Sequence, residues 1–178
     1  MANFQYRIVR AAQLKADVYE EVEADKGAMG QAVLVVILSS VAAGIGSFGR
    51  GGISGILAGT IISLAGWVVW AYLTFLIGTK LLPQPQTNSN MGELMRTIGF
   101  SSSPGLIRVL GIIPGLTGLV FFIASVWMFA AMIIGVRQAL DYTSTLRAVG
   151  VCFIGWLIQV VLIALFFSIM GGPPPKII

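Results

Sequence analysis

The sequence predicts an all-α, polytopic integral membrane protein with about five transmembrane helices and an N-terminal amphipathic helix. Hydrophobic residues make up 57% of the 178 residues. Charged residues make up 10%, whereas a soluble domain carries about a quarter. Long apolar runs alternate with short polar or glycine-rich breaks. Most of the surface must therefore face hydrocarbon rather than water.

The first 29 residues form a charged arm that differs from the rest of the chain. Its apolar residues recur at a spacing of three and four, which places them on one face of a helix. They are Ala11, Leu14, Val18 and Val22. Two interpretations stay open for this arm: an amphipathic helix on the cytoplasmic membrane surface, or a solvated helix that packs on the protein's own loops.

A membrane domain is expected over residues 30–172, followed by a short tail over 173–178. The five expected spans cover about 31–48, 53–78, 99–116, 117–140 and 149–170. A helix rises about 1.5 Å per residue, so the apolar runs are long enough to cross a hydrocarbon core of about 30 Å with some tilt. The third span is the hard one, since Pro104 and Pro114-Gly115 interrupt it. It is either a bent span or an interfacial helix with a re-entrant piece.

The basic residues predict the orientation of the chain. With five spans and a cytoplasmic N-terminus, eight basic residues lie inside and two lie outside, while Arg108 is buried. Four spans give eight inside and three outside. Cytoplasmic loops carry the excess of Lys and Arg, so both arrangements place the N-terminus in the cytoplasm. We expect the membrane to be the inner membrane of a bacterium.

Several kinds of chemistry are excluded by composition. The chain holds one cysteine, Cys152, and no histidine. An internal disulfide, a four-cysteine zinc site and an iron–sulfur cluster each need more thiols. The basic residues are scattered singly, unlike those of a nucleic-acid-binding surface. The sequence offers no nucleophile–base pair, so we predict no enzyme, no cofactor and no metal.

Small residues at every fourth position are the first candidate for a functional surface. They are Gly51, Gly55, Gly59 and Ser63, with Gly111 and Gly115 repeating the same step. Such stripes let helix backbones approach closely. The stripe either packs against the protein's own helices or docks a second copy or a partner chain.

Arg108 is the second candidate, because it is the only ionisable residue within an apolar stretch of the membrane domain. Such residues usually mark a functional site. Arg108 is a possible ligand or lipid contact; otherwise it reaches an interface or bonds a neighbouring carbonyl.

The chain resembles the Yip1-domain family in its bacterial form. The matching segments, in order, are residues 10–25, 30–32, 99–106 with the motif Gly-Phe-Ser-Ser-Ser-Pro-Gly-Leu, 114–115, 126–127, 137–140 and 145–148. The resemblance implies five spans and a cytoplasmic N-terminus. Eukaryotic members act in vesicle traffic and bind small Rab-type GTPases and one another. Their Asp-Leu-Tyr-Gly-Pro motif is absent here, since Glu20 and Glu21 stand in place of Gly-Pro.

The leading hypothesis for function is a non-catalytic scaffold or accessory subunit, acting as a homo-oligomer or within a larger membrane complex. Two alternatives stay open. One is a small-solute transporter or permeability protein in which residues 99–116 line a path. The other is membrane shaping or trafficking, as in the eukaryotic relatives.

Overall fold

The computed structural model describes residues 3–47 and 52–169, without the side chains of 163 and 166–169. Within these residues the chain forms seven α-helices and no strand. The helices are α1 Phe4–Ala12, α2 Ala16–Ala24, α3 Met29–Gly46, α4 Gly52–Leu76, α5 Met91–Phe100, α6 Thr117–Ala139 and α7 Thr145–Ile169. A 3₁₀ segment, Ser103–Ile112, lies between α5 and α6. Gly51 of the predicted stripe lies outside the described residues.

Four helical stretches of the described chain are long and apolar enough to cross a membrane. They are Lys26–Gly46, Gly52–Leu81, Thr117–Ala139 and Thr145–Leu162. The last five residues of the second stretch continue α4 as a π-helical turn, Ile77–Leu81. Large apolar side chains on these helices are exposed, for example Ile53 and Phe122. The prediction of an all-helical, polytopic membrane protein is confirmed.

The third expected span, over 99–116, is not one long helix, since α5 ends at Phe100 and a 3₁₀ segment follows it. An Asn90–Glu93 capping box starts α5, which ends after ten residues at Phe100. Pro104 then occupies the first turn of the 3₁₀ segment, where its missing N–H is tolerated. Gly115 takes a positive φ of 84° and turns the chain into α6. The two prolines and this turn divide the segment into short pieces.

The divided segment nevertheless runs along α3 from the beginning of that helix to its end. Gly99 packs on Ala32, and Gly105 packs on Ser39. Gly111 meets the carbonyl oxygen of Gly46, the last residue of α3. Two short helices therefore cover the depth that a long helix covers elsewhere in the bundle.

The N-terminal arm is two helices, where the sequence predicted one. Leu14 takes a positive φ of 62° and breaks the arm between α1 and α2. Val18, Tyr19 and Val22 on α2 are almost wholly buried. They pack on α5 and α6, as shown by Tyr19 against Gly135. The arm thus packs on helices of its own chain rather than on loops.

Side chains of the membrane domain close the carboxyl ends of both arm helices. Trp127 of α6 donates its indole N–H to the carbonyl of Ala12, at 2.7 Å. Arg96 of α5 donates to the carbonyls of Val22, at 2.8 Å, and Glu23. The last carbonyls of a helix have no partner within it, so these donors satisfy groups that would otherwise need water.

Arg7 joins the arm to the start of α3. Its guanidinium lies 2.8 Å from Glu21 and 2.7 Å from Asp25, and it donates to Gln31 at 3.0 Å. Burial alone would lower the pKa of Arg7, but the hydrogen bonds with Asp25 and Glu21 raise it above its usual value. The hydrogen bond from Arg7 likewise lowers the pKa of Asp25.

Close contact at Gly46 gives a test of this packing. An alanine Cβ at Gly46 would overlap the backbone carbonyl of Arg108, whereas one at Gly30 would meet nothing within 4 Å. Gly46→Ala should destabilise the protein by about 1–3 kcal/mol through overpacking. Gly30→Ala, in the same helix, should leave stability unchanged or raise it. Thermal unfolding in mild detergent measures both, and equal melting temperatures would contradict the packing of the 3₁₀ segment on α3.

Candidate functional site: a cavity inside the bundle

A cavity of about 590 Å³ lies between α3, α4, α6, α7 and the segment of α5 with its 3₁₀ continuation. Six serines contribute to its wall: Ser39, Ser40, Ser63, Ser101, Ser102 and Ser125. Three tryptophans, Trp67, Trp70 and Trp156, supply large apolar surfaces. The cavity therefore combines polar groups with an apolar wall, as ligand pockets do.

The cavity lies at the middle depth of the bundle and opens to one side. Ser39 lies near the middle of α3, and Met128 lies near the middle of α6. At the opening, Ile62 is 70% exposed and Trp156 is 45% exposed. Both belong to helices that could span a membrane. The opening thus faces the side of the bundle where lipid would lie.

Arg108 is the one ionisable residue among the described residues of the cavity wall. Its Nη2 donates to the thioether sulfur of Met128 at 3.0 Å, and its guanidinium carbon lies 5.7 Å from the centre of the Phe121 ring. A thioether is a weak acceptor. Its Nε is buried and has no hydrogen-bond partner. Among the described residues the guanidinium donates to no carbonyl oxygen.

A second donor in the wall is unsatisfied as well. The indole Nε1 of Trp70 is buried without a partner, whereas that of Trp67 donates to the carbonyl of Met95 at 3.1 Å. The remaining polar groups of the wall are hydroxyls and the amide of Gln159. Among the described lining residues there is no carboxylate. The site presents hydrogen-bond donors and one positive charge, so it can bind acceptors and anions.

The predicted small-residue positions fall in different surroundings. Gly55 and Gly59 are exposed on α4, and a Cβ on either would meet no atom within 4 Å. Ser63, the next residue of that stripe, lines the cavity. Gly111 packs inside the protein against Gly46, and Gly115 forms the turn before α6. Only Ser63 and Arg108 of these positions come together at the cavity.

Sequence reasoning missed Trp70, Met128 and the serines. The serines gave a usable signal, because hydroxyls recur in otherwise apolar runs, at Ser39-Ser40 and at Ser125. No pattern within a single helix, however, indicates that three separate helices turn these groups toward one cavity.

A second pocket, of about 610 Å³, lies where the arm meets α5, α6 and the turn before α7. Four carboxylates line it with Arg137: Glu20, Glu23, Glu93 and Asp141. Burial and the neighbouring carboxylates, Asp141 first, raise the pKa of Glu23 to about 7. Within the described residues no group of three carboxylates, histidines or cysteines has the arrangement of a metal site.

The raised pKa of Glu23 predicts a pH-dependent stability. The folded protein holds this proton more tightly than the unfolded chain, whose pKa is near the ordinary 4.5. The contribution of this proton to the free energy of unfolding is complete at low pH and is lost as pH rises toward and through about 7. Glu23→Gln removes this loss. The melting temperature of the variant minus that of the parent should therefore increase from pH 5 to pH 8. A constant difference across this range would contradict the raised pKa of Glu23.

Comparison with known proteins gives one match. The model of the Yip1 domain matches residues 15–168, from α2 to near the end of α7. No curated protein and no solved structure gives a significant match. The matched region includes the cavity, the divided segment and the second arm helix, and it covers most of the chain. The chain therefore belongs to the Yip1 domain family.

Proposed function

We propose that this Yip1-domain protein is a non-catalytic scaffold or accessory subunit, which associates with a second copy of itself or with a larger membrane complex through α4. Members of the family are in general non-catalytic proteins of membrane trafficking. The observation that carries the proposal is the face of α4 at Gly55 and Gly59, on which no described residue packs.

An adjacent face of this part of α4 already has a neighbour. Ile56 packs on Gly44 of α3, so that contact fixes the helix to the bundle. Gly55 and Gly59 pack on nothing in the described chain. Glycine within a helix is less stable than alanine by about 1 kcal/mol. A close helix–helix contact is the benefit that offsets this, because small residues let two backbones approach.

We propose that the protein lies in a bacterial inner membrane with its N-terminus in the cytoplasm, and the charge distribution supports this orientation. The arm, the end of α4 and the turn between α6 and α7 lie at one end of the bundle. Tyr142 of that turn donates to the carbonyls of Gly78 and Leu82, and Gln138 donates to Glu20 of the arm. All the basic residues of these elements share this end, which is the distribution expected of a cytoplasmic face.

Replacing both glycines tests the proposal. Gly55→Leu with Gly59→Leu fills the empty face and should shift the gently extracted protein from an assembly to the single chain, with insertion unchanged. The matched control is Ala58→Leu with Ala65→Leu, because both alanines are exposed on other faces of the same helix. Light scattering of the purified particles measures their mass.

Mass spectrometry of what migrates with the parent protein then separates the two kinds of association. Copies of the chain alone indicate a homo-oligomer, and a fixed set of other proteins indicates an accessory subunit. If the parent runs as a single chain in gentle detergent and in native membrane fragments, the proposal fails. It fails also if the control pair disrupts assembly as strongly as the glycine pair.

The cavity favours a second candidate function, passage of a small solute along the divided segment. Non-helical backbone at membrane depth is tolerated where it lines a water-filled space, and the 3₁₀ segment borders the cavity through Arg108. Proteoliposomes should then release a small organic anion faster than empty vesicles, and Arg108→Ala should abolish the difference. Equal release from both kinds of vesicle, for anions, cations and neutral solutes, would exclude this candidate.

Membrane shaping by the arm has less support. Its large apolar residues on α2 are buried against α5 and α6, so they are not free to enter a bilayer. Only Tyr6 and Val9 of α1 remain about half exposed.

A further inference from the structure

We propose that the cavity inside the bundle binds an amphiphile from the membrane, whose anionic head group, a phosphate or a carboxylate, pairs with Arg108. The inference does not depend on association through α4. It depends on the surroundings of one guanidinium, on the polarity of the wall and on the side to which the cavity opens.

The positive charge of Arg108 has no compensating partner among the described residues. A buried cation is costly unless an anion or several hydrogen bonds compensate it. Arg108 has a thioether at 3.0 Å, a ring face at 5.7 Å and a buried Nε without a partner. No ion pair of Arg108 occurs among the described residues, where the arginines of the three ion-pair contacts are Arg7 and Arg10. Since no described residue supplies an anion to Arg108, we infer that the compensating anion comes from a bound ligand.

The charge and the hydrogen-bond donors of the cavity wall favour an anionic ligand. The guanidinium fork matches phosphate and carboxylate oxygens. The indole N–H of Trp70 is a further buried donor without a partner in the same wall. A cation would meet a positive charge and gain no carboxylate, and an apolar molecule would leave both donors unsatisfied. An anion with several acceptor oxygens can accept from the guanidinium and offers acceptors of the kind that the indole N–H lacks.

The side to which the cavity opens indicates where the ligand comes from. The cavity opens past Ile62 and Trp156, both exposed and apolar, on helices that could span a membrane. A molecule that enters this way comes from the bilayer and keeps its chain against an apolar wall. At about 590 Å³ the cavity has the size of a ligand pocket. We infer that the head group occupies the cavity while the rest of the molecule extends toward lipid.

Thermal unfolding in detergent tests the proposal, because a ligand that binds only the folded state raises its melting temperature with concentration. The probes are dihexanoyl phosphatidylglycerol, dihexanoyl phosphatidylcholine, hexanoate and inorganic phosphate. Phosphatidylglycerol or hexanoate should raise the melting temperature of the parent protein by several degrees, and phosphatidylcholine should not. A rise with inorganic phosphate alone would assign the site to a free anion and overturn the membrane origin.

Two variants separate binding from a structural role. Arg108→Gln removes the charge, so the rise should disappear, whereas the protein without ligand should unfold at the same or a higher temperature. Gly66→Leu places a side chain into the cavity, where a Cβ meets no atom within 4 Å, and should block the rise with Arg108 intact. Arg147→Gln is the control, since Arg147 lies at the end of the bundle and donates to Pro83. It should keep the rise.

The proposal is overturned if none of the anionic amphiphiles raises the melting temperature of the parent. It is overturned also if Gly66→Leu keeps the full rise, or if Arg147→Gln loses as much of it as Arg108→Gln. If Arg108→Gln does not fold, the Gly66→Leu result decides alone. Native mass spectrometry of the parent supplies an independent readout, as a bound anionic lipid should be retained by the parent and by Arg147→Gln and lost from Gly66→Leu.

Discussion

The arrangement of the helices depends on side-chain hydrogen-bond donors that reach backbone carbonyls of other elements, above all where helices end. The last carbonyls of a helix have no partner within it, so where a helix ends against other parts of the protein another group must supply a donor. Long side chains meet that need here. Trp127 and Arg96 satisfy the ends of the two arm helices, Trp67 satisfies Met95 within α5, and Tyr142 satisfies the π-helical end of α4. These bonds each join elements far apart in sequence, so they fix the arrangement of the helices as well as their ends.

The divided segment matters most for the proposed functions, because it borders the cavity. A straight helix in its place would pack on α3 along its whole length and fill the centre of the bundle. The 3₁₀ segment instead packs closely at Gly46, Gly105 and Gly111 and leaves a space beside α4 and α7. Its close packing requires glycine on both sides, since the carbonyls of Arg108 and Gly46 occupy the positions where side chains would lie. The same contact directs Arg108, whose guanidinium reaches Met128 and the cavity rather than the end of the bundle.

The sequence predicted the class of fold because that class follows from composition and from the length of apolar runs. It predicted the breaks at Pro104 and Pro114-Gly115 for the same local reason, the geometry of proline and glycine. It did not predict that the broken pieces would follow α3, since this depends on glycines 50 or more residues apart meeting face to face. The arm was predicted as one helix because the spacing of Ala11, Val18 and Val22 is helical, and that spacing does not indicate the positive φ that Leu14 takes between α1 and α2. Arg108 was singled out by its charge, but its neighbours Met128 and Phe121 both belong to α6, and no periodicity of the sequence connects that helix to Arg108.

Ser63 links the two proposals, because it continues the stripe of Gly55 and Gly59 and also lines the cavity. A helix docked on the stripe would lie beside Ile62 and would border the open side of the cavity. Assembly would then narrow the route by which a membrane molecule enters, and a bound molecule would contribute apolar surface next to the interface. Binding at one place that changes affinity at the other is reciprocal by thermodynamic necessity. Association through α4 and occupancy of the cavity should therefore be measured in the same sample, since either one alters the equilibrium of the other.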